Sequence, residues 1–461
     1  MLVRTGLAAR VRATRDKRRE YMTTQTHLIH SRRFLPLFVT QLLNAFNDNL
    51  FKNAMVLFVV YSVYQSEAAE GQFSAVASAV FILPFFLLSA VSGQLADMRD
   101  KARIIRIIKA AEIGIMAVGA AGLLMASKGI MVTGVAIPLM MVALFGMGVH
   151  STFFGPIKYA ILPQHLHKDE VLAGTGLVEA GTYIAILAGT ILAGWIPVGW
   201  AAAGVIVTAI IGYLTSRLVP DAPPHHDPEP LDFHLIRASI ALVRNASHDR
   251  RVFLAIMAIS FFWTIGAVLF VQFPPLAKNV LTASKEVASL FLVIFSIGVA
   301  LGSMSVNALL KGTVSARYSP VSVLVMGLFV VAFYLVCRAW NPHPEGLHDV
   351  AHFLAQPLAI PLLASLLGIA VAGGMFVVPL YAFLTTFVDK SQTSRTIAAN
   401  NIVNSAAMVV GSLIATGLSL AGVAIVNQLL LSAVMCLYAA QLARQLVAAE
   451  RRGDPAADVF S

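Results

Sequence analysis

Charge and cysteine are scarce in this chain, and each shortage removes a class of protein. Only 12% of the 461 residues are Asp, Glu, Lys or Arg, 58% are hydrophobic, and the mean hydropathy is +0.79. Soluble domains carry about 25% charged residues, so a water-soluble fold is excluded. The two cysteines, Cys337 and Cys436, lie in or at the ends of separate apolar runs, so neither a disulfide framework nor a metal cluster is expected. The roughly ten-residue alternation of an outer-membrane barrel strand is missing as well. Glycines are present, but no strand precedes them, which argues against a nucleotide loop.

What fills the chain is apolar sequence of helical length. Runs near 34–64, 73–96, 104–126, 130–154, 171–195, 199–219, 251–277, 285–310, 319–338, 357–386, 396–420 and 422–446 are each long enough to cross a bilayer. Twelve transmembrane helices are therefore expected in an all-α membrane protein. Of the 33 Lys and Arg, 28 fall on the side of the N-terminus, and Lys128, Lys278, Lys285 and Arg338 on the other, with Lys52 inside a span. By the positive-inside rule both termini are cytoplasmic. The net charge of +10 is then topology, with nothing to suggest a nucleic-acid partner.

The spans divide six and six. Residues 1–33 read as a basic cytoplasmic extension without the apolar core of a cleavable signal peptide, and Met22 is a candidate start. Residues 34–219 form the first six-helix half, 220–250 a proline-rich cytoplasmic linker, 251–446 the second half and 447–461 a tail. Within the linker Phe233, Ile236, Ile240 and Val243 share one helical face, as in an interfacial helix. A trace of internal repeat supports the division. Pro156-Ile-Lys-Tyr-Ala pairs with Pro379-Leu-Tyr-Ala, and Ala173-Gly-Thr-Gly-Leu-Val-Glu179 overlays Ala398-Ala-Asn-Asn-Ile-Val-Asn404, which makes Glu179 and Asn404 equivalent.

Polar residues inside such spans demand an explanation. Asp48 lies about 20 Å into the first span, near the bilayer midplane, where a carboxylate costs about 2.5 to 3.5 kcal/mol. Gln41, Asn44, Asp48 and Lys52 recur every three or four residues on one helical face, and Asn47 lies in the same segment. One reading is an Asp48–Lys52 pair with asparagines joining helices; the other is a stripe that faces a solute. Asn400 and Asn404 form a second stripe in the eleventh span. Gly181, Ala185 and Gly189 in the fifth span mark close helix contact, expected to slide against the other half. The external loop 341–357, with His343, His348, Asp349 and His352, lacks zinc-site spacing and reads as solvated loop.

The turn Gly93-Gln-Leu-Ala-Asp-Met-Arg-Asp-Lys-Ala-Arg103 resembles the signature between helices 2 and 3 of the major facilitator superfamily, with Met98 where a base is usual and Asp100 where the signature has glycine. Gly302 through Lys311 and Arg317 resembles a decayed copy. Phe46-Asn-Asp-Asn-Leu-Phe-Lys-Asn53, Phe154-Gly-Pro-Ile-Lys-Tyr-Ala-Ile-Leu-Pro163, Val178-Glu-Ala-Gly-Thr182 and Ala398-Ala-Asn-Asn-Ile-Val-Asn404 look like the bacterial lysophospholipid transporter family, including domains often fused to an acyltransferase and an acyl-carrier-protein synthetase. The resemblance covers residues 34 to about 446.

That resemblance implies a major facilitator fold and the movement of lysophosphatidylethanolamine-type lipids from the outer to the inner leaflet of a bacterial inner membrane, by alternating access, for reacylation. A small-molecule or drug transporter of the same superfamily is the second reading. Asp48 and Glu179 are expected to meet the ammonium or glycerol of the head group, and Lys52, Asn44, Asn47, Asn400 and Asn404 its phosphate and hydroxyls. Gly93, Asp97, Arg99 and Lys101 are assigned to the cytoplasmic gate. Glu112 with Lys109 is expected to be a structural pair near the cytoplasmic boundary, Lys158 an interfacial anchor, and His150 a packing residue near an interface. No cofactor or metal is implied. None of the twelve histidines has an Asp five residues after it, so the acyltransferase pair is missing, no enzyme activity is expected, and a separate cytoplasmic acyltransferase is the implied partner. Whether a cation gradient or reacylation drives import stays open at this level.

Overall fold

A computed structural model of the chain describes residues 27–63, 67–224, 231–232, 234–341 and 347–453. The candidate start Met22, linker residue Phe233, His343 of the external loop and most of the C-terminal tail lie outside the described residues. The architecture is helical, and we number its long helices α1 (Leu35–Ser62), α2 (Glu67–Met98), α3 (Lys101–Ser127), α4 (Ile137–Ala160), α5 (Val171–Trp195), α6 (Val198–Ser216), α7 (Arg250–Asn279), α8 (Lys285–Leu310), α9 (Ser319–Ala339), α10 (Ala359–Phe387), α11 (Thr393–Leu420) and α12 (Ile425–Gly453). Eleven are long and apolar enough to cross a membrane. The remaining one is α1, whose seven Gln, Asn, Asp and Lys between Gln41 and Asn53 lower its apolarity below that of the others.

Helix ends follow local chemistry. Asp100 accepts from the Arg103 N–H to cap α3, and Asp249 accepts from the Arg251 N–H to cap α7, each satisfying one of the free donors of a first turn. Lys311 (φ 55°) and Gly312 (φ 75°) close α8 in the left-handed region. One boundary departs from the sequence reading. α4 does not end near residue 154 but runs to Ala160 with Pro156 inside it, preceded by a π-helical turn at Val132–Ala136. Pro379 likewise sits inside α10. Proline lacks only its own N–H, and in a helix surrounded by other helices this shapes the rod without stopping it.

Packing repeats with a shift of six helices. In the first six, α1 packs on α5 and α6, α2 on α4, and α3 on α4 and α6; in the last six, α7 packs on α11 and α12, α8 on α10, and α9 on α10 and α12. The main contacts between the two sets are α2 with α11 and α5 with α8, which the same shift interchanges. Their closest approaches lie toward the α2–α3 turn. A Cβ on Gly93 would stand 2.7 Å from the Ala398 Cβ, and one on Gly176 2.4 Å from the Ser303 carbonyl oxygen. α5 is buried all round through Tyr183, whereas Ile184 is 50% exposed.

The glycines of α5 correct one expectation. Gly181 abuts Phe38 and Gln41, and Gly189 abuts the Phe46 carbonyl and Leu50, so this stripe seats α5 on α1 within the first six helices and does not face the second six. Gly176, one turn earlier, makes that contact. The linker continues as a helix, Leu235–Ala246, against α2 and α11. It turns Ala238, Ser239 and Leu242 inward and leaves Ile236 and Ile240 68% and 64% exposed. The loop before α10 is pinned by backbone bonds, since the Ser284 N–H donates to the His348 carbonyl and the His348 N–H to that of Thr282.

Candidate functional site

Two polar groups occupy the interior of the bundle. The first joins the two sets of helices. Tyr159 of α4 and Tyr381 of α10 stack with ring centroids 4.6 Å apart. Each hydroxyl meets the position that the repeat overlay made equivalent: Tyr159 donates to Glu179 of α5, and Tyr381 accepts from the Asn404 side chain of α11 at 3.5 Å. The Tyr381 hydroxyl also accepts from Trp263 at 2.8 Å and from Asn400 at 3.5 Å, and Ser260 donates to Asn404 at 2.7 Å. Glu179 and Asn400 are fully buried. One Glu179 oxygen and the Asn400 carbonyl oxygen have no hydrogen-bond partner, so the group retains capacity to accept.

The second group lies within the first six helices. Asp48 accepts from Ser151 at 2.6 Å and from Asn44 at 3.3 Å, and its other oxygen is buried without a partner. Asn44 accepts from Lys109 at 3.5 Å, Asn47 donates to Glu112 at 2.7 Å, and Lys109 and Glu112 form an ion pair with side chains 0% and 1% exposed. His150 Nε2 stands 3.5 Å from Glu112. A charge pair this deep is held together because each member would otherwise be stranded away from water.

These contacts revise several sequence assignments. Lys109 and Glu112 are a structural pair, yet they sit in the core against the α1 stripe and not near a boundary. Asn44 and Asn47 are engaged by that pair, which directs them into the first six helices and away from the junction. His150 is mid-helix, because α4 extends further than its hydropathy indicated. The Asp48–Lys52 ion pair does not form; the Lys52 ammonium instead lies 5.6 Å from the Phe81 ring centroid. Lys158, expected as an interfacial anchor, lies two residues before the end of α4. It is half-buried in α4, its ammonium 4.8 Å from the Tyr159 ring centroid.

Sequence reasoning missed Tyr159, Tyr381, Trp263 and Ser151. The signal for the tyrosines is the Pro-to-Tyr-Ala repeat itself, which places a tyrosine at matching positions of α4 and α10. Among the described residues no group of His, Cys, Asp and Glu is arranged to hold a metal.

At the α2–α3 end Asp97 caps the other set of helices. Its two oxygens accept from the backbone N–H groups of Ser394 and Arg395, both at 2.9 Å, in the first turn of α11. Lys101 is buried beside it, and its N–H donates to Ala222 of the linker at 3.0 Å. Gly93 is buried where α2 crosses α11, and Arg99 is exposed. Nearby Arg33 donates to Glu170, just ahead of α5, at 2.6 Å. Burial alone would raise the Glu170 carboxyl, but Arg33 and the His167 N–H outweigh it and hold the group below the usual glutamate range.

The profile of the family described as Major Facilitator Superfamily matches residues 37–412. Similar curated proteins include the lysophospholipid transporter LplT of Klebsiella pneumoniae subsp. pneumoniae, 25% identical over 77% of this chain and 81% of its own length, and that of Cronobacter sakazakii, 25% identical over 81% and 84%. Among solved structures, a bacterial homologue of the iron transporter ferroportin in an outward-facing state aligns with TM-score 0.66 at 12% identity, over 90% of this chain and 99% of that one. The proton:xylose symporter XylE aligns with TM-score 0.66 at 13% identity, over 92% and 96%.

Proposed function

Because this chain belongs to the Major Facilitator Superfamily, we propose that it carries lysophospholipid, of the lysophosphatidylethanolamine type, from the outer to the inner leaflet of a bacterial inner membrane. The observation that carries the proposal is a pair of interior carboxylates, Asp48 and Glu179, each with one oxygen that has no hydrogen-bond partner, and the Lys158 ammonium lying against the ring of Tyr159, whose hydroxyl donates to Glu179. A zwitterionic head group is complementary to such a set: its ammonium meets carboxylate, and its phosphate meets Lys158 or Lys52. The acyl chain needs no partner in an apolar surround and can stay among lipid-facing side chains. Similarity to the lysophospholipid transporters supports the same substrate class.

In this proposal all twelve long helices cross the bilayer with both termini in the cytoplasm, and the α2–α3 end is the inner end. The first and last six helices are the moving halves, 34–219 and 251–446, joined by the linker. The tyrosine stack closes the path below Asp48, and Asn400 and Asn404 hold Tyr381 in place as well as offering groups to the lipid. Gly93, Asp97, Arg99 and Lys101 form the inner gate: Asp97 caps α11 only while the end is closed, Lys101 is buried beside it against the linker, and the exposed Arg99 anchors the turn at the leaflet surface. Asn44 and Asn47 act indirectly, by setting Asp48 against the Lys109–Glu112 pair. The chain performs no chemistry of its own, and a separate cytoplasmic acyltransferase converts the delivered lipid.

The test follows labelled lysophosphatidylethanolamine added outside spheroplasts that lack endogenous transporters and contain a cytoplasmic acyltransferase. Chain-dependent formation of labelled diacyl lipid is expected, reduced at least about tenfold by Glu179→Gln. Diacyl lipid at the same rate with and without the chain overturns the proposal.

A further inference from the structure

Three lysines from three connections line one cleft at the α2–α3 end. Lys168 precedes α5, Lys311 closes α8, and Lys390 lies between α10 and α11; with Asp169, Val171 and Thr313 they border a volume of about 470 Å³. That size lies in the roughly 300–1,000 Å³ range of small-molecule sites. The cleft is bordered on one side by the approach to α5 and on the other by the ends of α8 and α10, so it straddles the junction between the two sets of helices.

Its chemistry is one-sided. Asp169 is its single carboxylate, and none of the three ammonium groups is in an ion pair. The Thr313 hydroxyl donates to the Leu310 carbonyl at 2.6 Å, and those of Thr385 and Thr386 to the Ala382 carbonyl at 3.0 and 2.7 Å. The side-chain donors left for a ligand are therefore the lysines, and these suit an anion with several acceptor oxygens better than a neutral sugar. Lys311 is held in the left-handed region by the turn that ends α8, which places its side chain at the cleft. Unpaired cations on both sides of a junction repel one another, and an anion between them turns that repulsion into attraction.

We infer that this cleft binds the phosphate of an anionic glycerophospholipid from the adjacent leaflet, and that the bound lipid holds the two sets of helices together at this end. Basic clefts between membrane helices recognise anionic head groups by this electrostatic means. A free phosphate shares the recognising chemistry, but a lipid is delivered by the membrane at the level where the helices end. The inference does not depend on what the protein transports.

The experiment uses the full chain purified in detergent. Retention of phosphatidylglycerol and phosphatidylcholine is read by native mass spectrometry, and stabilisation by each lipid is read from thermal unfolding. The chain is expected to keep phosphatidylglycerol selectively, with affinity falling about tenfold or more in Lys168→Gln/Lys311→Gln/Lys390→Gln. Lys128→Gln, at the opposite end, should change nothing. Should the triple variant fail to fold, the single variants and the comparison of the two lipids on the unaltered chain carry the test. Equal retention and stabilisation by the two lipids overturns the inference, as does undiminished phosphatidylglycerol binding in the variants. Stabilisation by millimolar inorganic phosphate that matches phosphatidylglycerol overturns the lipid assignment.

Discussion

Replacing Asp97 should open the α2–α3 end, and the size of the effect follows from two hydrogen bonds. Asp97 is 4% exposed, and its oxygens accept from Ser394 and Arg395 at 2.9 Å each, so both bonds bridge the two sets of helices. A hydrogen bond to a charged group contributes roughly 1.5 to 3 kcal/mol net. Asp97→Ala loses both and leaves two donors of a helix first turn without an acceptor, so at least about 3 kcal/mol is removed from the closed arrangement. At 1.4 kcal/mol per factor of ten, the ratio of closed to open shifts about a hundredfold or more. Asp97→Asn retains one acceptor oxygen without the charge, and about half that energy, roughly a tenfold shift, should be lost. The assay is a distance distribution between spin labels at Arg103→Cys and Gln392→Cys, both exposed at this end, in a background where the buried Cys337 and Cys436 are replaced. A long-distance population should grow in the order native, Asn, Ala. Identical distributions in all three would refute the claim that these bonds hold the gate.

Other outcomes follow from single contacts. Glu112→Gln or Lys109→Met strands the other half of a buried pair and should lower stability by about 3 to 5 kcal/mol, whereas the double change Lys109→Met/Glu112→Leu should recover much of it in detergent melting curves; equal losses for single and double would contradict the pairing. Gly176→Val has no room against the Ser303 carbonyl and should separate α5 from α8, raising cysteine accessibility at the α2–α3 end, while Gly114→Ala, which meets nothing, should not. Glu170 is held below its ordinary value when folded, so its contribution is complete above the unfolded value of about 4.5 and is lost as pH falls through the lower folded one. Native protein should therefore lose melting temperature in that acid window, and Glu170→Gln should lose less of it; parallel pH profiles for the two would remove the Arg33–Glu170 bond as the cause.

The helical architecture was legible because twelve apolar runs need no partner to be recognised, and α5 and α8 begin and end where their hydropathy changes. The apolar run near 130–154 falls short of the end of α4, because only neighbouring helices reveal that the helix continues through Pro156. The polar positions of α1 were found, but their directions were not. Helical spacing says which residues share a face and cannot say that Asn44 and Asn47 look toward Lys109 and Glu112 while Lys52 rests on Phe81. Nor does spacing show that the Lys158 ammonium rests against the ring of its neighbour Tyr159. The overlay of Glu179 on Asn404 gives no sign of the two tyrosines stacked between them, which only the three-dimensional packing brings together.

The polar face of α1 also bears on how the chain is made. α1 emerges during synthesis before the other eleven long helices described, and of these twelve it is the one that falls short in apolarity. The groups that satisfy its stripe, on α3 and α4, do not yet exist at that moment, and α5, on which it packs, arrives later still. Its residence in the bilayer should accordingly be provisional, weakly held until α4 follows, so that shortened chains ending after α1 should be extracted by alkaline wash far more readily than those ending after α5. The residues that give the centre of the molecule its chemistry thus leave α1 dependent on helices not yet synthesised.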